Sequence, residues 1–206
     1  MPLTVTVVGA GNVGRALARR FAQGGNVVRF GVRDPSGDRA EEAVAATPGS
    51  VALGIGEAVR GADVVVLAVP LDGLTEALGD CGDLDGKVVV DAVNAVRSPV
   101  PEGFPSVAQY VASKAPGARV VKAFNCVGFE VMLDPVFPSG RAVMPIAGDD
   151  PTAREAVAAL ASAAGFDVID LGGLEAAPLI EGFARLWIRM MMSGSGRDFA
   201  FGLLKR

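Results

Sequence analysis

The residues best suited to chemistry in this chain stand at its beginning. Residues 3–14 read L-T-V-T-V-V-G-A-G-N-V-G, a β-rich apolar run ending in Gly9, Gly11 and Gly14. The amphipathic stretch RALARRFAQ follows at once. Glycines at this spacing, between a strand and a helix, suit a dinucleotide. Gly9 allows the sharp turn out of the strand, and Gly11 leaves room for a pyrophosphate to approach the backbone. Gly14 lets the helix pack close to the sheet. The amino end of that helix offers unpaired N–H groups and a positive dipole end to the phosphates. An NAD site of this kind places an acidic residue about 20 residues further on, at the end of the second strand, for the ribose 2′-hydroxyl. That neighbourhood here is F-G-V-R, ending in Arg33. A guanidinium pairs bidentately with a 2′-phosphate, so the pattern predicts NADP(H). Asp34 is acidic but belongs to the turn sequence D-P-S-G.

Other chemistries are excluded by composition. The chain has no histidine, which removes Ser-His-Asp and Cys-His triads and imidazole zinc sites. No metal site is expected. Cys81 and Cys126 form no C-x-x-C pair, and Cys126 reads as a small buried filler. Half of the 206 residues are hydrophobic and 20% are charged, enough for a full core, and the formal charge of −4 argues against a nucleic-acid partner. No apolar run approaches the roughly 18 residues of a membrane span. The first residues lack signal-peptide features, so a cytoplasmic protein with reduced thiols is expected.

The elements that must hold these residues follow an alternating pattern. Strands are expected at residues 26–32, 51–53, 63–69, 87–93, 119–124, 142–147 and 166–171. Helices are expected at 37–47, 56–60, 71–78, 106–113, 150–164 and 174–192. Residues 63–69 (DVVVLAV) and 87–93 (KVVVDAV) are continuous apolar runs, as in parallel strands covered on both faces. Their carboxyl ends border the cofactor crevice, which places Val69, Pro70 and Asn94 toward the nicotinamide half. Residues 98–105 and 134–141 read as proline-containing loops, and Pro145 suggests an edge strand or a bend. The last long helix carries Leu179, Phe183, Leu186, Trp187 and Met190 on one side, as core, dimer interface or a wall for a flat second substrate. Residues 197–206 are candidates to extend it. The fold class is α/β, a doubly wound Rossmann fold with a mostly parallel sheet and a small helical C-terminal part. Its division is expected at 1–140 for the dinucleotide-binding core and 141–206 for strands and helices completing the sheet.

The blocks V-G-A-G-N-V-G, V-V-K-A-F-N-C-V-G, A-G-D-D-P-T-A and E-G-F-A-R-L-W-I, with Arg33 and Val69-Pro70, carry a family resemblance. It resembles the NADP-dependent coenzyme F420 (deazaflavin) oxidoreductases, which are in turn similar to the reductase domain of the STEAP metalloreductases. The resemblance implies direct hydride transfer between stacked nicotinamide and deazaflavin rings, with no catalytic acid–base residue, in a homodimer. It implies that Gly9, Gly11, Asn12, Val13 and Gly14 hold the pyrophosphate and Arg33 the 2′-phosphate. Val69, Pro70, Asn94 and Ala95 then face the nicotinamide half. The chain departs from the family at Val32, where Ser or Thr is usual, at Leu71, where an aromatic is frequent, and at Ala95, where proline is common.

Two further readings compete. One is an NADPH-dependent flavin or ferric reductase of STEAP type, and the other a non-catalytic NADP(H) sensor with a protein partner. A dehydrogenase of a carbonyl or imine substrate needs a proton donor. Tyr110 is the single tyrosine and lacks a Y-x-x-x-K spacing, while Lys122 lies inside a strand.

Overall fold

The computed structural model describes residues 2–96, 98–204 and 206. In chain order its first elements are β1 (Thr4–Val8), α1 (Asn12–Gln23), β2 (Val27–Val32), α2 (Asp38–Ala45), β3 (Val51–Gly54), α3 (Ile55–Val59) and β4 (Val64–Leu67). There follow α4 (Leu74–Cys81), β5 (Val88–Asp91), α5 (Val107–Lys114), β6 (Arg119–Lys122) and α6 (Phe129–Leu133). The chain continues with β7 (Val136–Phe137), β8 (Gly140–Arg141), β9 (Val143–Gly148), α7 (Pro151–Ala163), β10 (Asp167–Asp170) and α8 (Ala177–Met190).

Eight strands form one sheet in the order β10-β9-β6-β5-β4-β1-β2-β3. Every pairing in it is parallel except β6 with β9. The inner strands are unbroken valine runs because both of their faces are buried. Successive side chains point to opposite faces. Val64, Val66, Val88 and Val90 join the core cluster beneath α1 and α7. Val65, Leu67 and Val89 join the cluster beneath α3, α4 and α5. Helix α1 forms because Ala16, Leu17 and Phe21 fall on one side and bury there, and Gly24 ends it. Two other helices are started by their own side chains. Asp150 accepts the Ala153 N–H at 2.6 Å before α7, and Ser106 accepts the Gln109 N–H before α5.

Strand β1 pairs with β2 on one side and with β4 on the other, so the strand order reverses there. The carboxyl ends of β1 and β4 therefore open a crevice at a topological switch point, where α/β sheets bind ligands.

The structure differs from the sequence reading in four places. Residues 134–141 are a small hairpin, β7 with β8, and the short helix α6 precedes it. Strand β9 is not an edge. Pro145 pairs with Ile169 of β10, while β6 meets β9 only at Ala147 and Gly148. The missing proline N–H thus falls where β6 pairing has already ended. Helix α8 buries Ala177, Ile180, Ala184 and Trp187, so Trp187 separates from the rest of the expected stripe, and Leu179 and Leu186 stay exposed. The small alanines let the helix approach the sheet closely. The tail does not extend the helix beyond a wide turn at Met191–Ser195. It is strapped down instead, as Trp187 Nε1 donates to the Phe199 carbonyl and the Val143 N–H donates to that of Phe201, both at 2.9 Å. Of the residues expected to continue the helix, Lys205 lies outside the described residues.

Candidate dinucleotide site

The three glycines have three different surroundings. Gly9 has φ +108°, a conformation that favours glycine, and a Cβ there would stand 2.6 Å from the Ala68 carbonyl oxygen. A Cβ on Gly14 would stand 2.1 Å from the Gly9 carbonyl oxygen. Those two glycines are required by the fold. Gly11 is not: its φ and ψ of −77° and −176° suit any residue, and nothing lies within 4 Å of where its Cβ would be. The space beside it opens on the amino end of α1. That end has no side-chain cap and no acidic residue in its first turn, so its N–H groups and dipole are free for an anion. A pyrophosphate fits this corner by shape and by charge.

From here a cavity of about 550 Å³ runs along the ends of β1, β2 and β4, a size suited to a cofactor fragment. Of the residues expected from sequence, Gly9, Gly11, Arg33, Val69 and Pro70 line it. Asn12, Val13 and Gly14 form the first turn of α1 behind it, where Asn12 Oδ1 accepts from Arg15 at 3.0 Å. Asn94 and Ala95 lie further along the sheet edge after β5. Asn94 Nδ2 donates to the Asn125 carbonyl at 2.6 Å, and Asn125 Nδ2 donates back to Asn94 Oδ1 at 3.1 Å. Ala95 packs against the core beneath α4 and α5.

The far end of the cavity has charged walls. Arg33 and Arg39, the latter in the first turn of α2, stand on one wall. Glu76 and Asp80 stand on the opposite wall, one helical turn apart on α4. Arg33 Nη1 and Glu76 Oε2 are 3.5 Å apart with both side chains largely exposed, so the pair is weak and a stronger anion can displace it. Arg39 was not singled out from sequence, although a base one turn into the helix after β2 is a readable signal. Val32 lines the same region and supplies no hydroxyl.

Asn125 is a second residue that sequence reasoning passed over. It is buried, and its Oδ1 has no hydrogen-bond partner among the described residues. The preceding Phe124 is fully buried with φ +60°, unusual for an aromatic residue. Edge-to-face contacts with Phe21 and Phe166 hold it there. Such strain costs about 1–3 kcal/mol and concentrates at functional sites. Here it turns the chain so that Asn125 meets Asn94.

Neither of the groups considered as proton donors reaches the cavity. Tyr110 is buried between α4 and α5, sharing a 2.6 Å hydrogen bond with Thr75. Lys122 is fully buried in an ion cluster. Burial pushes the Cys126 thiol up to about 12, outweighing the pull of the Lys122 charge, and burial beside Asp80 does the same to Cys81. Both remain thiols at neutral pH, so Cys126 is a filler and no nucleophile. Trp187 is buried and stacked on Phe199 with 5.1 Å between centroids, so its face is not open to a planar ligand. Among the described residues no cluster could hold a metal ion, and no helix is long and apolar enough to cross a membrane.

Fold and crevice together are those of a Rossmann-type dinucleotide-binding protein. Residues 4–95 match the family described as NADP oxidoreductase, coenzyme F420-dependent. The chain is 31% identical to the F420-dependent NADP reductase of Methanothermobacter thermautotrophicus, over 96% of this chain and 93% of that protein. It is 30% identical to the metalloreductase STEAP3 of Rattus norvegicus over 86% of this chain, but spans only 35% of that relative's length. A crystal structure of a candidate F420-dependent NADP reductase from Arthrobacter sp. FB24 superposes with a TM-score of 0.87 at 28% identity, covering 98% of this chain and 100% of that one. The chain belongs to the coenzyme F420-dependent NADP oxidoreductase family.

Proposed function

We propose that the chain passes a hydride between NADP(H) and a deazaflavin, coenzyme F420, in either direction. The observation that carries the nucleotide half is the open corner at Gly11, with Arg33 and Arg39 at the other end of the same cavity. The deazaflavin half rests on the family and on the methanogen relative, which is matched along nearly its whole length.

In this reading Gly9, Gly11, Asn12, Val13 and Gly14 cradle the pyrophosphate against the amino end of α1. Arg33 holds the 2′-phosphate, and Arg39 supplies a second positive charge that offsets the missing hydroxyl at Val32. Val69 and Pro70 pack against the ribose and ring, and Asn94, steadied by Asn125, offers polar contacts to the nicotinamide half beside Ala95. Bound NADP(H) would give up or take up the hydride at its nicotinamide ring, according to direction. What the chain contributes is orientation and exclusion of water. The lack of histidine and the burial of Tyr110 and Lys122 away from the cavity suit a reaction without a protein acid or base. The exposed apolar edge of α8, with Leu179 and Leu186, suits a homodimer contact, which sedimentation velocity distinguishes from a monomer.

The similarity to STEAP3 favours one second reading, an NADPH-dependent flavin or ferric reductase. The test is NADPH consumption with F420 and, in parallel, with FMN, FAD and ferric chelates. Turnover with F420 at least about a hundredfold above the others, roughly 2.7 kcal/mol of discrimination, is the expected result. Turnover with flavin or ferric iron alone moves the protein to the STEAP-like reading. Tight NADPH binding with no turnover of any acceptor supports a sensor.

A further inference from the structure

The formal charge of −4 is unevenly spread, for residues 182–206 hold five Lys and Arg against a single acid, Asp198. Within that stretch Arg197 is fixed by the fold. Its Nε donates to Glu130 Oε1 at 2.6 Å and its Nη1 to Met191 Sδ at 3.2 Å. Its guanidinium lies over the rings of Phe129 and Trp187, 5.3 and 5.9 Å from their centroids. A guanidinium stays charged at any working pH. These contacts leave Nη2 without a partner among the described residues, with the side chain 47% exposed. The Arg197 N–H likewise donates to no backbone carbonyl among them. The turn that delivers Arg197, S-G-S-G-R, is exposed, and Gly194 and Gly196 have φ of +101° and +74°. It presents backbone with little side chain in front of it.

The sheet sets the place of this cation. Lys122, the last residue of β6, pairs with Ala147 of antiparallel β9, so the start of β9 runs on past the carboxyl end of β6. The Val143 N–H there donates to the Phe201 carbonyl, which draws the tail along the same edge. Beneath Arg197, Phe129 ends the loop that carries Asn125, and a Cβ on Gly128 would stand 3.0 Å from the Trp187 ring. Arg197 therefore stands over the loop after β6, on the nicotinamide side of the proposed site. Strands β6 and β2 are four spacings apart, about 19 Å, so this cation is not placed for the 2′-phosphate that Arg33 awaits. We propose that Arg197 and its turn bind an anionic group, a phosphate or carboxylate, on the side chain of the acceptor, and anchor it while its ring meets the nicotinamide. Glu130 holds the guanidinium in its plane, and its own charge opposes the incoming anion.

The inference rests on the hydride-transfer reading. At saturating NADPH, kcat and KM are measured for F420 and for the same deazaflavin on a bare ribityl chain, which carries no phosphate or carboxylate. Wild type, Arg197→Ala, Arg197→Lys and Glu130→Gln are compared, with a thermal melt for each. Arg197→Ala is expected to raise the KM for F420 about five- to twentyfold, with kcat and the KM of the bare ring within about twofold. Arg197→Lys keeps the charge and recovers part of the loss. Glu130→Gln keeps an acceptor for Arg197 but removes the opposing charge, so its KM for F420 falls about two- to fivefold. A pair that merely straps the tail predicts the same sign for Arg197→Ala and Glu130→Gln, on both acceptors. An unchanged KM for F420 in Arg197→Ala, or equal losses on both acceptors, overturns the proposal. If that variant fails to fold, Glu130→Gln decides, and a KM for F420 that does not fall overturns it. A wild type that turns over neither deazaflavin defeats the hydride-transfer reading instead. Inorganic phosphate is then titrated into the NADP+-saturated protein while following Trp187, the single tryptophan. A saturable emission change that Arg197→Lys retains more fully than Arg197→Ala supports the anion site, and no change in the wild type overturns it.

Discussion

Replacing Arg33 by alanine weakens NADPH about ten- to a hundredfold and leaves NADH nearly unchanged. The estimate follows from the roughly 1.5–3 kcal/mol of a hydrogen bond to a charged group, at 1.4 kcal/mol per factor of ten. Removing the guanidinium also leaves Glu76 facing the 2′-phosphate without its counter-charge, which pushes the loss toward the upper end. The Arg33–Glu76 pair is exposed, so its removal costs little stability and the melting temperature stays close to that of the wild type. Isothermal titration with both nucleotides reads the difference. Equal losses for NADPH and NADH would contradict the 2′-phosphate assignment. A small loss for NADPH alone moves the main contact to Arg39, and the double variant then shows the full effect.

The glycine loop predicts two opposite results from one kind of change. At Gly14 a methyl group meets the backbone oxygen of Gly9, which has no freedom to give way because Gly9 is itself packed against Ala68. Gly14→Ala therefore overpacks the β1–α1 corner by about 1–3 kcal/mol, a drop in melting temperature of about 2–12 °C at this chain length, and NADPH affinity falls with it. At Gly11 the backbone accepts alanine without strain and the methyl group meets no protein atom. Gly11→Ala is expected to melt within about 2 °C of the wild type, yet to lose about tenfold or more in NADPH affinity, since the methyl group fills the path of the pyrophosphate. Wild-type affinity in a folded Gly11→Ala variant would show that the pyrophosphate lies elsewhere.

The features legible in the sequence were those written by local rules. Valine runs with both faces buried marked β4 and β5, the glycine spacing marked the β1–α1 corner, and Asp150 followed by Pro151 marked the start of α7. The hairpin of β7 and β8 was hidden because each strand has only two residues, too few for alternation to register. Helix α8 carries two apolar stripes, and periodicity alone does not say which one faces the sheet. The structure buries the side with alanines and leaves Leu179 and Leu186 outside. Lys122 lies within β6, as expected of a strand residue. Its partners Asp91 and Glu181 lie 31 residues before it and on a helix near the far end of the chain, so only the folded sheet brings them together. Arg33 was visible because its position is fixed by the end of β2. Asn125 was not, because its pairing with Asn94 follows the unusual backbone of Phe124.

The most direct test of the central claim follows the hydrogen itself. NADPH carrying deuterium at one of the two positions on nicotinamide C4 is incubated with the protein and oxidised F420, and the reduced deazaflavin is analysed by mass spectrometry. Direct transfer predicts one deuterium in the reduced deazaflavin from one stereoisomer of NADPH and none from the other. Unlabelled product from both, with the deuterium in the solvent or retained on the nucleotide, would contradict a hydride passed ring to ring.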